Sequence, residues 1–256
     1  MSCAKKTFKR PSSAIRGKIK RRRKSTIPRM RSTVAASYGF TGPLRSGVEK
    51  KYYDRQYYVI DGNWVTWGQP TADTARYNTQ LLNCINNGAG VSQRVGRKIT
   101  MTSAQLRVAV GVPTGRVLSG VLRCILVYDS QPNGVTLGPN ALLESTAGPS
   151  TFVLDYQTAL SPVQMSNRDR LRVIMDKQIA LAPGPLDLGH TFKKYKRLRH
   201  ETVFNTDTQV DPINISSIQT GALYMFYVYS TTGGAVLGAT NLPSIVTSVR
   251  LRYTDQ

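Results

Sequence analysis

The stretch GALYMFYVYS (Gly221 to Ser230) sets eight consecutive apolar or aromatic residues between a glycine and a serine. It falls far short of the ~18 apolar residues that a membrane helix requires, and its tyrosine, phenylalanine and valine content favours an extended chain. A short continuous run of this kind suits a strand buried on both faces. Further on, Val249, Leu251 and Tyr253 alternate with Arg250 and Arg252. That is the pattern of a half-buried strand with a cationic outer face, for which a solvated surface is the simplest explanation.

Working outward, one or the other pattern recurs at Glu49 to Ile60, Arg76 to Ile85, Lys98 to Val110, Gly120 to Tyr128, Arg170 to Ala180, Thr191 to Phe204, Gly221 to Ser230 and Ile245 to Tyr253. Turn residues separate the eight segments, and long helical periodicity is missing. Only a turn or two of helix is expected, near Asn140 to Ser145. The predicted fold is all-β, a single eight-stranded jelly-roll β-sandwich, since an up-and-down barrel would have shorter and more even turns. The connection from Asp129 to Asn167 is too long for a hairpin and is expected to make contacts between subunits.

Ahead of these segments the composition is different. Of residues 1 to 31, thirteen are basic and none is acidic: Lys5, Lys6, Lys9, Arg10, Arg16, Lys18, Lys20, Arg21, Arg22, Arg23, Lys24, Arg29 and Arg31. The whole chain carries 35 basic and 14 acidic residues, for a net +21, so the remainder keeps 22 against 14, or +8. Residues 1–47 therefore read as a basic, largely irregular N-terminal arm and linker, and 48–256 as the folded domain. An arm with so few apolar groups and so much self-repulsion does not fold alone. It calls for a polyanion, and nucleic acid is the expected one, because each phosphate neutralised releases counterions. An anionic membrane fits less well, since the arm lacks the aromatic or leucine face that an interfacial helix buries. The run Lys20, Arg21, Arg22, Arg23, Lys24 also suits recognition by nuclear import receptors.

Cys3, Cys84 and Cys124 match no zinc or disulfide spacing and read as free thiols in a reducing compartment. The basic start is followed by no signal-peptide-like apolar run, so a soluble chain made inside the cell is expected. The sequon at Asn214 to Ser216 then has no consequence.

A second basic cluster, KKYKRLRH, runs from Lys193 to His200. Strand alternation puts Lys193, Tyr195, Arg197 and Arg199 on one face and Lys194, Lys196, Leu198 and His200 on the other. Charge on both sides means either an edge strand whose lysines deter pairing or a wall against nucleic acid. In the second case Lys193, Lys194, Lys196 and Arg197 would bind phosphate and Tyr195 would stack on an unpaired base. Alternation also groups Arg168, Arg170 and Arg172 opposite Asp169, Leu171 and Val173. Tyr52, Tyr53, Tyr57 and Tyr58 are expected to fill core and subunit contacts, as are Trp64 and Trp67.

Little points to an enzyme. His190 and His200 sit in no metal-ligand spacing. The glycines around Gly90 and Gly96 fail the phosphate-loop spacing, because five residues separate them and Arg97 precedes Lys98. There is no nucleophile elbow and no patterned carboxylate pair. No catalytic residue, cofactor or metal is expected.

Four stretches, taken in order, resemble a known family: VEKKYYD (Val48 to Asp54), QRVGRKI (Gln93 to Ile99) leading into TMTSAQLR, YDSQPNG (Tyr128 to Gly134) and NRDRLRVIMDK (Asn167 to Lys177). With the arginine-rich start, they look like the capsid proteins of circular Rep-encoding single-stranded DNA viruses, the geminivirus and genomovirus relatives. The resemblance implies a jelly roll that self-assembles as a homo-oligomer into an icosahedral shell. It also implies an arm that packages the single-stranded DNA genome and directs import into the host nucleus, so that the protein is found in the virion and the nucleus. The cysteine and histidine positions usual in the first half of geminivirus coat proteins have no counterpart here, which favours a simple particle over a twinned one. With about sixty copies, the arms would carry roughly 800 positive charges and whole chains roughly 1,300, suited to single-stranded DNA on the order of one thousand nucleotides.

Two other classes use a basic arm. One is a non-assembling nuclear shuttle or single-strand-binding protein; the other is a ribosomal-type RNA binder, whose basic residues would be spread through the body rather than concentrated in one arm.

Overall fold

The computed structural model describes residues 50–60, 63–66, 75–112, 119–144, 159–182, 189–205, 214–231 and 242–255. The arm and linker, with all thirteen arm cations, lie outside the described residues, as do Cys3 and Trp67. The described part is all-β, with two antiparallel sheets of five strands each. The first has the order β1 (Lys50–Val59), β10 (Ser244–Asp255), β4 (Lys98–Gly111), β7 (His190–Phe204), β8 (Ile218–Thr220). The second runs β2 (Val65–Thr66), β3 (Ala75–Leu81), β9 (Ala222–Thr231), β5 (Gly120–Asp129), β6 (Leu171–Leu181).

Eight strands were expected, and ten are found among the described residues. The additions are β2 and β8, of two and three residues, too short to carry a period of two. The helix is a single turn, α1 (Pro139–Leu142), starting on Pro139 and one residue earlier than the sequence suggests.

The two strand patterns of the sequence separate by sheet. Strand β9 is buried from Ala222 to Ser230, because both faces of the second sheet are covered at this strand. On one face it meets the first sheet: Tyr227 Oη and Thr247 Oγ1 share a 2.5 Å hydrogen bond between β9 and β10. On the other face lies the long connection after β5. The Tyr224 hydroxyl donates to the Val135 carbonyl, Thr79 to that of Leu137, and buried Arg123 to those of Ala159 and Ser161. Leu137, Leu142, Leu143 and Ala159 from this connection join the same hydrophobic core. The described part of the connection expected to bridge subunits thus packs on its own sheet. Two-sided burial requires the continuous apolar run that marks β9 in the sequence.

Strands β1, β10 and β4 bury one face and leave the other exposed. In β10, Ile245, Thr247, Val249, Leu251 and Tyr253 are buried, whereas Ser244, Val246, Arg250 and Arg252 are exposed.

A polar lock joins the sheets at one end. The Asn83 amide donates to Thr202 Oγ1 and to the Gly221 carbonyl, both at 2.9 Å, and its oxygen accepts from the Leu223 amide. This lock ends β3 at Leu81, where the sequence suggested a strand reaching Ile85.

Candidate nucleic-acid interface

With β9 and β5 covered by the long connection, the middle of the second sheet presents no open surface among the described residues. The outer face of the first sheet does. Register across β1, β10, β4 and β7 aligns its side chains in rows: Tyr52, Arg252, Ser103, Arg197; then Asp54, Arg250, Gln105, Tyr195; then Gln56, Ser248, Arg107, Lys193. A fourth row, Tyr58, Val246, Ala109, Thr191, is uncharged. Neighbouring strands lie ~4.8 Å apart and same-face residues ~6.8 Å apart along a strand, so the three charged rows make one compact field.

That field holds five cations, Arg107, Lys193, Arg197, Arg250 and Arg252, and one carboxylate, Asp54. Arg250 grips Asp54 with a forked pair, Nε 2.8 Å from Oδ1 and Nη2 2.6 Å from Oδ2. The hydrogen bond from Arg250 holds the Asp54 carboxyl below its ordinary range against the opposing effect of burial. The other four cations have no carboxylate partner among the described residues. Tyr195 stands between them, about half exposed. Its hydroxyl is held below the usual phenol range by a hydrogen bond with Ser103, reinforced by Arg252 and Arg197.

Of the cluster named from the sequence, Lys193, Tyr195 and Arg197 share this face. Lys194 and Lys196 project from the opposite face of β7, into a recess with Ile174, Met175, Asp176 and Lys177 of β6. There the Lys177 ammonium sits 3.8 Å from the Phe192 ring centre. The five residues therefore form two groups on opposite sides of one strand.

The expected arginine row at 168, 170 and 172 does not form. The strand begins at Leu171; Arg168 is in an exposed turn, and Arg170 forks onto the fully buried Asp129, with Nη2 2.7 Å from Oδ2. Asp129 ends β5, and this pair closes the long connection at its base.

The tyrosines divide as well. Tyr57 is in the core and donates to the Leu81 carbonyl, and Tyr53 is half-buried, but Tyr52 and Tyr58 are exposed on the outer face of the first sheet. Trp64 is a core anchor, edge-on to Tyr229, with its indole N–H bonded to the Pro243 carbonyl.

Sequence reasoning missed Arg107. The signal was present: Arg107 is the one cation within the alternating run Leu106 to Val110, and it has the exposed phase of that strand.

The remaining reactive groups are occupied elsewhere. Burial pushes the thiol of Cys84 up to about 11 and that of Cys124 up to about 12. His200 stacks on Tyr128 at 4.2 Å, and burial lowers its pKa, with Arg172 acting in the same direction. Among the described residues no three histidine, cysteine or carboxylate side chains are grouped to hold a metal. No protein-family model matches the chain, and no curated protein matches it.

Proposed function

We propose that the chain is a viral coat protein whose β-body is a jelly roll. It closes with identical copies into an icosahedral shell, and its N-terminal arm condenses single-stranded DNA inside. The observation that carries this reading is the strand order. Numbering the eight long strands one to eight along the chain, the first sheet runs 1-8-3-6 and the second 2-7-4-5. This order supports the jelly-roll reading, since two interlocked Greek keys would alternate the strands between sheets in this way. The charge distribution supports the same reading, with +13 in residues 1–31 and, among the described residues, a cationic outer face on the first sheet. In the shell that face lines the interior. The segment Lys20 to Lys24 serves nuclear import before assembly.

Electron microscopy and nuclease protection of the full-length chain and of a chain lacking residues 1–31 test the proposal. The full chain is expected to give closed particles holding nuclease-resistant single-stranded DNA, and the shortened chain particles with little DNA. Equal DNA in both overturns the role of the arm. A full-length chain that binds oligonucleotides but never assembles is instead a nuclear shuttle protein.

A further inference from the structure

Among the described residues every exposed tyrosine lies on the outer face of the first sheet: Tyr52, Tyr58 and Tyr195, at 45%, 55% and 52% exposure. The other described tyrosines are buried or half-buried. Aromatic rings left in water forgo the stabilisation of burial, and here two of them stand in the rows that hold the arginines. A ligand complementary to such a surface has flat π-faces and a regular negative charge.

We propose that this face is a second nucleic-acid site, distinct from the arm, which takes a single strand by stacking unpaired bases on Tyr52 and Tyr195 while Arg107, Lys193, Arg197 and Arg252 hold its phosphates. The proposal rests on the coat-protein reading for its biological setting, but its chemistry stands on the face itself. The Arg250 guanidinium lies 5.3 Å from the Tyr52 ring centre and covers one side of it, leaving the other side for a base. Tyr195 stands in register beside Gln105 and Arg250, about half exposed, with its ring open to a base. Duplex DNA hides its base faces within the helix, and a broad sheet face does not enter a groove. The site therefore selects single strands, with little regard for sequence.

Strand β7 supplies a matched control, because Lys193 and Arg197 lie on the proposed face and Lys194 and Lys196 on the other. In the full-length chain, K193Q/R197Q and K194Q/K196Q remove equal charge from the same strand. Binding of oligodeoxythymidine, measured at salt high enough to suppress the arm's contribution, is expected to fall about ten-fold in K193Q/R197Q and less than two-fold in K194Q/K196Q. Tyr195→Ala is expected to lose about ten-fold for the single strand and little for a duplex of equal length. Photo-crosslinking the unaltered protein to a bromodeoxyuridine strand needs no variant, and the crosslinks are expected on the peptides holding Tyr52 and Tyr195. Crosslinks confined to residues 1–47, or equal losses in the two double variants, overturn the proposal even if DNA-filled shells form. Crosslinks at Tyr52 and Tyr195 in a protein that never assembles would uphold this site while the coat-protein reading fell.

Discussion

Arg250 and Asp54 face each other across β10 and β1 in register, and among the described residues their fork is the one ion pair within the three rows that hold Arg107, Arg250 and Arg252, the Lys98–Glu201 pair of β4 and β7 lying further along the sheet. Asp54 there occupies a guanidinium that a phosphate would otherwise take. Asp54→Asn is predicted to tighten single-strand binding by about two- to five-fold and to steepen its salt dependence by up to ~0.7 in the log–log slope. Both are read by titration at several salt concentrations. Both partners are about half exposed, so unfolding stability should change little. The folded carboxyl titrates below its ordinary 3.8, so the pair is intact above that pH and opens as the pH falls through the lowered value.

The long connection over the second sheet is held by Arg123. It forks onto Asp176 of β6, with Nε 2.9 Å from Oδ1 and Nη2 2.5 Å from Oδ2, and its remaining nitrogen donates to the Ala159 and Ser161 carbonyls. Asp176→Ala leaves a nearly buried guanidinium without its counter-charge. A loss of about 2–3 kcal/mol is predicted in urea unfolding, below the figure for a fully buried pair because Asp176 is one-third exposed. Hydrogen exchange should rise first in residues 159–161.

Gly221 has φ +78°, and a Cβ there would lie 2.0 Å from the backbone oxygen of Glu201. Gly221→Ala must therefore strain the turn and disturb the lock made by Asn83 and Thr202. A loss of at least ~2 kcal/mol is expected, measured as a fall in the urea midpoint. Asn83→Ala, which leaves the buried Leu223 amide without its acceptor while the Gly221 carbonyl keeps the Thr202 hydroxyl, should cost about 1–3 kcal/mol.

Cys84 and Cys124 are predicted to resist alkylation in the native protein at pH 8, because their buried thiols stay protonated. Mass spectrometry of iodoacetamide-treated protein checks this, with full labelling expected after denaturation. Their raised pKa values stabilise the fold below the ordinary thiol value of 9.0. That contribution is lost as the pH rises from 9.0 toward about 11 and 12.

How much of this could be read from the sequence depends on which side of each strand is covered. The eight long strands were legible because burial imposes either alternation, as in Ile245 to Tyr253, or a continuous run, as in Ala222 to Tyr229. Strands β2 and β8 were not, since two or three residues hold no period. Alternation also divided Lys193 to Arg199 correctly between two faces. It could not tell which face was open, because that depends on β6 lying opposite Lys194 and Lys196. Nor could a row such as Tyr52, Arg252, Ser103 and Arg197 be found in a sequence, since it needs the register of four strands distant in the chain. Arg170 was misplaced for the same reason: its partner Asp129 is 41 residues away.

The most direct test of the central claim is electron cryomicroscopy of particles formed by the full-length chain with single-stranded DNA. The account predicts a closed shell with the outer face of the first sheet turned to the interior and nucleic-acid density against Tyr195, Arg107 and Arg252. A shell with that face on its outer surface, or a chain that stays monomeric with DNA bound, would contradict it.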